Sequence, residues 1–190
     1  IAYRNVPIDL NHGHQQTLVG MTTFEVIHED IINELTQMYP LIRNLVKEDQ
    51  SIIEMGFKKW AENIIANGVP HNNWDLFQAD FIVKIALILQ DNQVYADGKG
   101  KQYYLDYVVN QNSIRQWSLN KLIDFGFDQK AKTWYESPGY STTVLSTLCD
   151  FTNMLDEKAG IEMFKQRPIL IDGVKASAEY LFPNRMIAGF

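Results

Sequence analysis

The chain has 190 residues, of which 46% are hydrophobic and 21% charged, a balance typical of a folded globular protein that excludes an intrinsically disordered chain. The net charge of −6 argues against a nucleic-acid partner, because phosphate binding needs clustered lysine and arginine. A single cysteine, Cys149, excludes an intrachain disulfide. No apolar run approaches the ~18 residues that span a membrane, so no membrane partner is predicted.

The first part of the chain predicts helices separated by short turns. One helix is expected over about 15–27, and a second over about 29–48, which Pro40 should kink or divide. Ser51 and Glu54 have the spacing of a capping box, which predicts the start of a third helix.

The most strongly helical segment follows the turn at residues 67–70. Asn72 or Asn73 is suited to cap a helix that continues to about Gln90. Because apolar side chains occur almost all the way round this helix, it is expected to be buried between other helices.

Further helices joined by short loops are predicted in the rest of the chain. They cover about 99–110, 113–124, 140–155 and 169–181. Strand patterns are weak throughout, and no repeat with a fixed period is found. The predicted fold class is therefore all-α, an array of packed helix pairs.

The first candidate functional motif is His71-Asn72-Asn73-Trp74, at the start of the buried helix. An asparagine here can serve only as a helix cap, beside a tryptophan that packs in the core. The same position also suits chemistry, because a side-chain amide and the helix dipole both favour a bound anion at a helix N-terminus. The residues alone leave both interpretations open.

The second motif is the segment 134–140, Trp-Tyr-Glu-Ser-Pro-Gly-Tyr. Pro138 and Gly139 are expected to fix a tight turn that places Tyr140 at the start of the next helix. In a structural role Tyr140 would be a half-buried packing residue. In a chemical role it would transfer a proton, which requires surroundings that favour the phenolate, since a free phenol has a pKa near ~10.

A third polar motif, Asn11-His12-Gly13-His14, contains two of the four histidines. A structural zinc site needs about four ligands, and the sequence offers no matching set of cysteine and histidine residues. We therefore predict neither a metal nor a cofactor. The segment is expected to be an ordinary exposed loop or, as the alternative, a polar loop near a substrate cleft. Cys149 lies on the apolar stripe of its helix and is expected in the core.

The first two motifs, in this order, resemble those of the heparinase II/III-like polysaccharide lyases. Asn73-Trp74 at the start of a long apolar helix resembles the family's Asn-Trp helix, and residues 136–140 resemble its Glu-x-Pro-Gly-Tyr turn. The resemblance covers about residues 15–190, although only the two motifs are specific. It implies an incomplete α/α toroid over residues 1–184. It also implies the start, at 185–190, of an antiparallel β-sheet domain that this chain lacks.

The resemblance further implies β-elimination at a uronic acid of an acidic polysaccharide, such as alginate or a glycosaminoglycan. On this mapping Asn73 neutralises the substrate carboxylate, and Tyr140 removes the C5 proton and protonates the leaving oxygen. Asn72 or His71 could take the place of Asn73. The residues expected to contact the substrate around this pair are His71, Asn72, Trp74, Trp134 and Glu136.

Two features depart from the family pattern. The interval between Asn73 and Tyr140 is longer than usual, and the extra length is expected in residues 111–128, a region that could reshape the cleft. The family's other catalytic histidine comes from the sheet domain and has no counterpart assigned here. A chain without that domain is expected to be weakly active or inactive. A periplasmic or secreted location is expected from the family.

Two alternative functions are compatible with the sequence. A carbohydrate-binding helical module without catalysis would use the 12% aromatic content, although most aromatic residues are expected in the core. A glycoside hydrolase on an α/α scaffold would need two catalytic carboxylates, and no acidic pair stands out in the sequence.

Overall fold

The computed structural model describes residues 31–68 and 73–180, without the side chains of residues 67 and 180. Within these ranges every regular element is a helix, and the one β-bridge, between Phe127 and Trp134, is isolated. The predicted all-α class is therefore confirmed for this part of the chain. The helix predicted over 15–27 lies outside the described residues.

Eight α-helices and three 3₁₀ turns follow one another along the described residues. The α-helices are α1 (Ile31–Ile42), α2 (Gln50–Asn67), α3 (Asn73–Ile88), α4 (Lys101–Asn110), α5 (Leu119–Gly126), α6 (Pro138–Ala159), α7 (Met163–Gln166) and α8 (Ile169–Ser177). The 3₁₀ turns are Lys47–Asp49, Asn92–Val94 and Ala178–Tyr180. The chain divides after Leu119 into two compact units.

Helix α3 is the centre of the first unit. Helices α1, α2 and α4 all pack against it, and most of its residues are buried. Leu76, Ile82 and Ile85 are each 0% exposed, and burial of such a side chain contributes about 1.5–3 kcal/mol. The burial predicted for this segment is confirmed.

Helix α2 begins within one residue of its predicted start at Ser51, but without the predicted capping box. The helix begins at Gln50, so Ser51 lies inside it, and Asp49 at the cap position makes no side-chain capping bond. Glu54 is fully buried and accepts hydrogen bonds from Tyr39 and Tyr95, far away in sequence. The capping-box prediction is wrong, because buried donors from other elements occupy the carboxylate.

Two other helices are shorter than expected. Helix α1 continues through Pro40, where one helical hydrogen bond is lost, and ends at Ile42, so the segment predicted over 29–48 is divided just beyond the proline. The helix predicted over 113–124 begins only at Leu119. In the residues before it, the hydroxyl of Ser113 accepts nearby backbone N–H groups and holds a turn instead.

Helix α6 organises the second unit, and α7 and α8 pack against it. The segment before α6 is fixed by Phe127 and Trp134, whose buried rings meet edge to face with centroids 5.4 Å apart. Gly126 lies directly under the Trp134 ring. This contact leaves no room for a larger residue at position 126.

Gly126→Ala is expected to lower the free energy of unfolding by about 1–3 kcal/mol, because overpacking a filled core displaces its neighbours. A methyl group there would lie 2.3 Å from ring carbons of Trp134. Gly139→Ala is the matched control, since an added methyl meets nothing within 4 Å and alanine favours a helix. Urea unfolding of both variants measures the difference, and equal stabilities would contradict the packing argument.

Candidate functional site

The first turn of α3 carries the first candidate motif. Asn73 is the first residue of the helix and is half-buried, as is Trp74. The first turn of any helix leaves backbone N–H groups without helical acceptors, and the helix dipole adds positive potential. The amide of Asn73 therefore occupies a position suited to a bound anion.

A buried polar cluster lies along this end of α3. Asp75, Gln78 and Gln116 are each no more than 1% exposed. One carboxylate oxygen of Asp75 accepts the backbone N–H of Trp117 at 3.1 Å, and Nε2 of Gln116 donates to the carbonyl oxygen of Asp75 at 3.2 Å. Nε2 of Gln78 donates to Oε1 of Gln116 at 2.9 Å. These bonds hold the segment after α4 against the start of α3.

The anchored segment belongs to residues 111–128, the expected extra length that could reshape the cleft. Its residue Arg115 accepts a hydrogen bond from Nε2 of Gln78 at its carbonyl oxygen, 3.2 Å away. Gly68, at the end of α2, fits closely here, because an added Cβ would lie 2.5 Å from the same carbonyl oxygen. The segment thus contacts α3 five residues after Asn73, and its effect on a substrate cleft stays a prediction.

The second candidate motif lies in the second unit. Pro138 is the first residue of α6, a favoured position for proline, so Pro138 and Gly139 belong to the helix and not to a turn before it. Tyr140, third in the helix, is 66% exposed and not half-buried. Its hydroxyl has no hydrogen-bond partner among the described residues. The phenol is accessible to a ligand.

The other predicted contact residues of this motif differ in exposure. Trp134 is 5% exposed, with its ring on Phe127, so a packing role suits it better than contact with a sugar. Glu136 is exposed as a residue. Partial desolvation of its carboxyl group by neighbouring atoms still raises the pKa of that group. Cys149, expected in the core, is half-buried, and burial raises the pKa of its thiol.

The predicted site residues therefore fall into three groups. Asn73 and Trp74 lie together in the first unit, beside the buried polar cluster. Trp134, Glu136 and Tyr140 lie in the second unit. The motif residues outside the described part of the chain are His12, His14, His71 and Asn72.

A second buried cluster, which the sequence did not predict, lies near the other end of α3. The carboxylate of Glu54 is 0% exposed and accepts five side-chain hydrogen bonds. The donors are Tyr39 at 3.2 Å, Arg43 at 2.5 Å, Gln50 at 2.9 Å, Gln90 at 3.1 Å and Tyr95 at 2.7 Å. Burial alone would raise the pKa of Glu54, but these hydrogen bonds and the charge of Arg43 lower it below its ordinary value.

A cavity of about 670 Å³ lies along α2 in the first unit. Two of its lysines face carboxylates, Lys58 with Asp97 at 2.6 Å and Lys99 with Glu62 at 2.9 Å. Because their charges are matched, these lysines offer little net attraction to an acidic ligand.

Comparison with protein families, curated proteins and solved structures finds no match to the chain. Across residues 31–68 and 73–180, no helix combines the length and apolar character needed to cross a membrane. The same residues contain no group of three or more side chains that could hold a metal ion. The chemistry of the two motifs is therefore the basis for assigning a function.

Proposed function

We propose that this protein is a polysaccharide lyase that cleaves a uronic-acid-containing polymer by β-elimination, on an α/α toroid. One observation carries the proposal: both motif residues lie in the first turn of a helix, Asn73 at the start of α3 and Tyr140 third in α6. Such positions place the side chain near backbone N–H groups that a ligand can use. The two resemblances, in the same order as in the lyase family, support the assignment.

Asn73 is assigned to the substrate carboxylate. Removal of the C5 proton moves negative charge onto that carboxylate, and an amide donor aimed at it stabilises the enolate-like intermediate. The positive end of the α3 dipole adds to this effect. One such donor typically contributes about 10²–10³-fold to the rate.

Tyr140 is assigned to proton transfer. Its phenolate would take the C5 proton, and the resulting phenol would protonate the oxygen that leaves C4. The C5–H and C4–O bonds break while a C4–C5 double bond forms, so no water is consumed. The accessibility of its hydroxyl supports this assignment.

The proposal is tested by product chemistry. The longest natural chain that contains this segment is incubated with alginate, heparan sulfate and other polyuronates, with a neutral polysaccharide as the control. A lyase creates an unsaturated uronate that absorbs ultraviolet light, and its product masses lack the added water of hydrolysis. Cleavage with added water and without absorbance would contradict the proposal and support a glycoside hydrolase. Binding without cleavage of any polymer would instead favour a carbohydrate-binding module.

Asn73→Ala is expected to lower kcat by about 10²–10³-fold, the usual loss when one donor to a developing charge is removed. Asn153→Ala, the same change at an exposed position of α6, is expected to leave kcat unchanged. Initial rates of absorbance and thermal melting curves measure both variants. Activity that survives Asn73→Ala would transfer the neutralising role to Asn72 or His71.

A further inference from the structure

An acidic polymer must overcome the net charge of −6, so a cation near Asn73 would be needed to attract it. Most cations with defined contacts in the described part of the first unit already face carboxylates. These ion pairs are Arg43–Glu54, Lys58–Asp97, Lys84–Asp80 and Lys99–Glu62. Their charges are compensated within the protein.

Arg115 differs from these residues. Its side chain is exposed and makes no ion pair or side-chain hydrogen bond with the described residues. A guanidinium group stays charged at any physiological pH, and its planar fork binds a carboxylate or sulfate through two parallel N–H···O bonds. Arg115 therefore has the chemistry to bind an anionic group of a ligand.

The backbone of Arg115 is held in place from both sides. Its N–H donates to the hydroxyl of Ser113 at 3.1 Å, and its carbonyl oxygen accepts the Gln78 amide at 3.2 Å. Gly68 packs against that same carbonyl. A long side chain that starts from a fixed backbone loses less freedom on binding than one on a mobile loop.

This anchored backbone lies close to the start of α3. The next residue, Gln116, donates to the carbonyl oxygen of Asp75, only two residues after Asn73. A helix rises about 1.5 Å per residue, so the segment meets α3 within about one turn of Asn73. An arginine side chain is long enough to cover that distance.

We propose that Arg115 is a substrate-binding residue that pairs with the anionic group of a sugar next to the one bound by Asn73. The assignment rests on the proposed function for its ligand, an acidic polysaccharide. The anion is a carboxylate in a polyuronate and a carboxylate or sulfate in a glycosaminoglycan. Arg115 thus supplies the local positive charge that the overall composition lacks.

Binding is measured by calorimetry in the Tyr140→Phe background, so that turnover does not consume the ligand. The probes are an unsulfated oligouronate, a sulfated glycosaminoglycan oligosaccharide and a neutral oligosaccharide of equal length. Arg115→Gln is expected to weaken binding of an acidic probe roughly tenfold, because a charge-assisted bidentate contact is lost. Arg115→Lys should recover part of the loss, since it restores charge without the fork. A loss confined to the sulfated probe would identify sulfate as the anion.

Two controls separate this contact from general effects. Ile114→Ala changes the adjacent side chain, which is 87% exposed, and keeps the charge, so it tests disturbance of the segment. Lys165→Gln removes one positive charge from an exposed site on α7 in the second unit, so it tests net charge. Both variants are expected to bind the acidic probes as tightly as the parent.

Equal affinity of Arg115→Gln and its parent for the acidic probes would overturn the assignment. So would an equal loss of affinity in Lys165→Gln, or an equal loss of affinity of Arg115→Gln for the neutral probe. Failure of the parent to bind any acidic probe would also overturn it. Weaker acidic binding in Arg115→Gln, combined with no β-elimination by the wild type, would support Arg115 and reject the lyase. β-elimination that requires Tyr140, combined with unchanged binding in Arg115→Gln, would support the lyase and reject Arg115.

Discussion

Tyr140→Phe is expected to abolish β-elimination, with kcat lowered by about 10³-fold or more, because it removes the group that moves the proton. The ring is retained, the side chain is 66% exposed, and its hydroxyl bonds to no described residue. Stability should therefore change by no more than about 0.5 kcal/mol. Product absorbance gives the rate, and a thermal melt confirms that the variant is folded.

Tyr135→Phe is the matched control, because Tyr135 is 62% exposed and lies five residues earlier in the same segment. It should retain full activity. Full activity in Tyr140→Phe would remove the proposed mechanism. Equal losses in both variants would show that the segment needs its hydroxyl groups for another reason.

Helices α3 and α6 were predictable because their local signals agree with their surroundings. Apolar side chains of α3 occur on nearly every side of the helix, and three other helices pack against it. Pro138 suits the first position of α6, and Gly160 at its end adopts the left-handed conformation that glycine tolerates. Where sequence pattern and packing favour the same structure, the pattern alone predicts the helix.

The segment before α5 was mispredicted because its structure depends on distant partners. Its apolar spacing favoured a helix, yet Gln116 is 1% exposed and bonds to Asp75, 41 positions earlier. The signal that could have revealed this contact was the presence of Asp75 and Gln78 within an otherwise apolar helix. Buried polar residues need partners, and here a loop supplies them.

The candidate site shows the same division. The start of α3 at Asn73 agrees with the motif, which predicted a helix beginning at Asn72 or Asn73. The position of Arg115 could not be predicted from the sequence. Its place beside α3 depends on the hydrogen bonds of Gln78 and Gln116, and no local sequence pattern indicates them. A single sequence predicts which residue begins a helix better than which loop lies beside it.

Glu54→Ala is expected to lower the free energy of unfolding by about 3 kcal/mol, through the loss of one partner from a buried ionic network. The hydroxyl groups of Tyr39 and Tyr95 would lose their acceptor while remaining buried or partly buried. Both stay protonated donors at neutral pH, because burial and the nearby Glu54 raise the pKa of Tyr39 to about 12 and also raise the pKa of Tyr95. Urea unfolding monitored by tryptophan fluorescence measures the decrease in the free energy of unfolding.

The same network predicts how stability depends on pH. Because the pKa of Glu54 in the folded protein lies below its ordinary value of 4.5, its contribution is complete above that value. It is lost as the pH falls through the folded-state pKa. Glu48→Ala, an exposed control in the Lys47–Asp49 turn, should keep this dependence, whereas Glu54→Ala should lose stability less steeply between about pH 5 and pH 3. Identical slopes of unfolding free energy against pH in the two variants would contradict this prediction. They would show that the five hydrogen bonds do not stabilise the ionised form of Glu54.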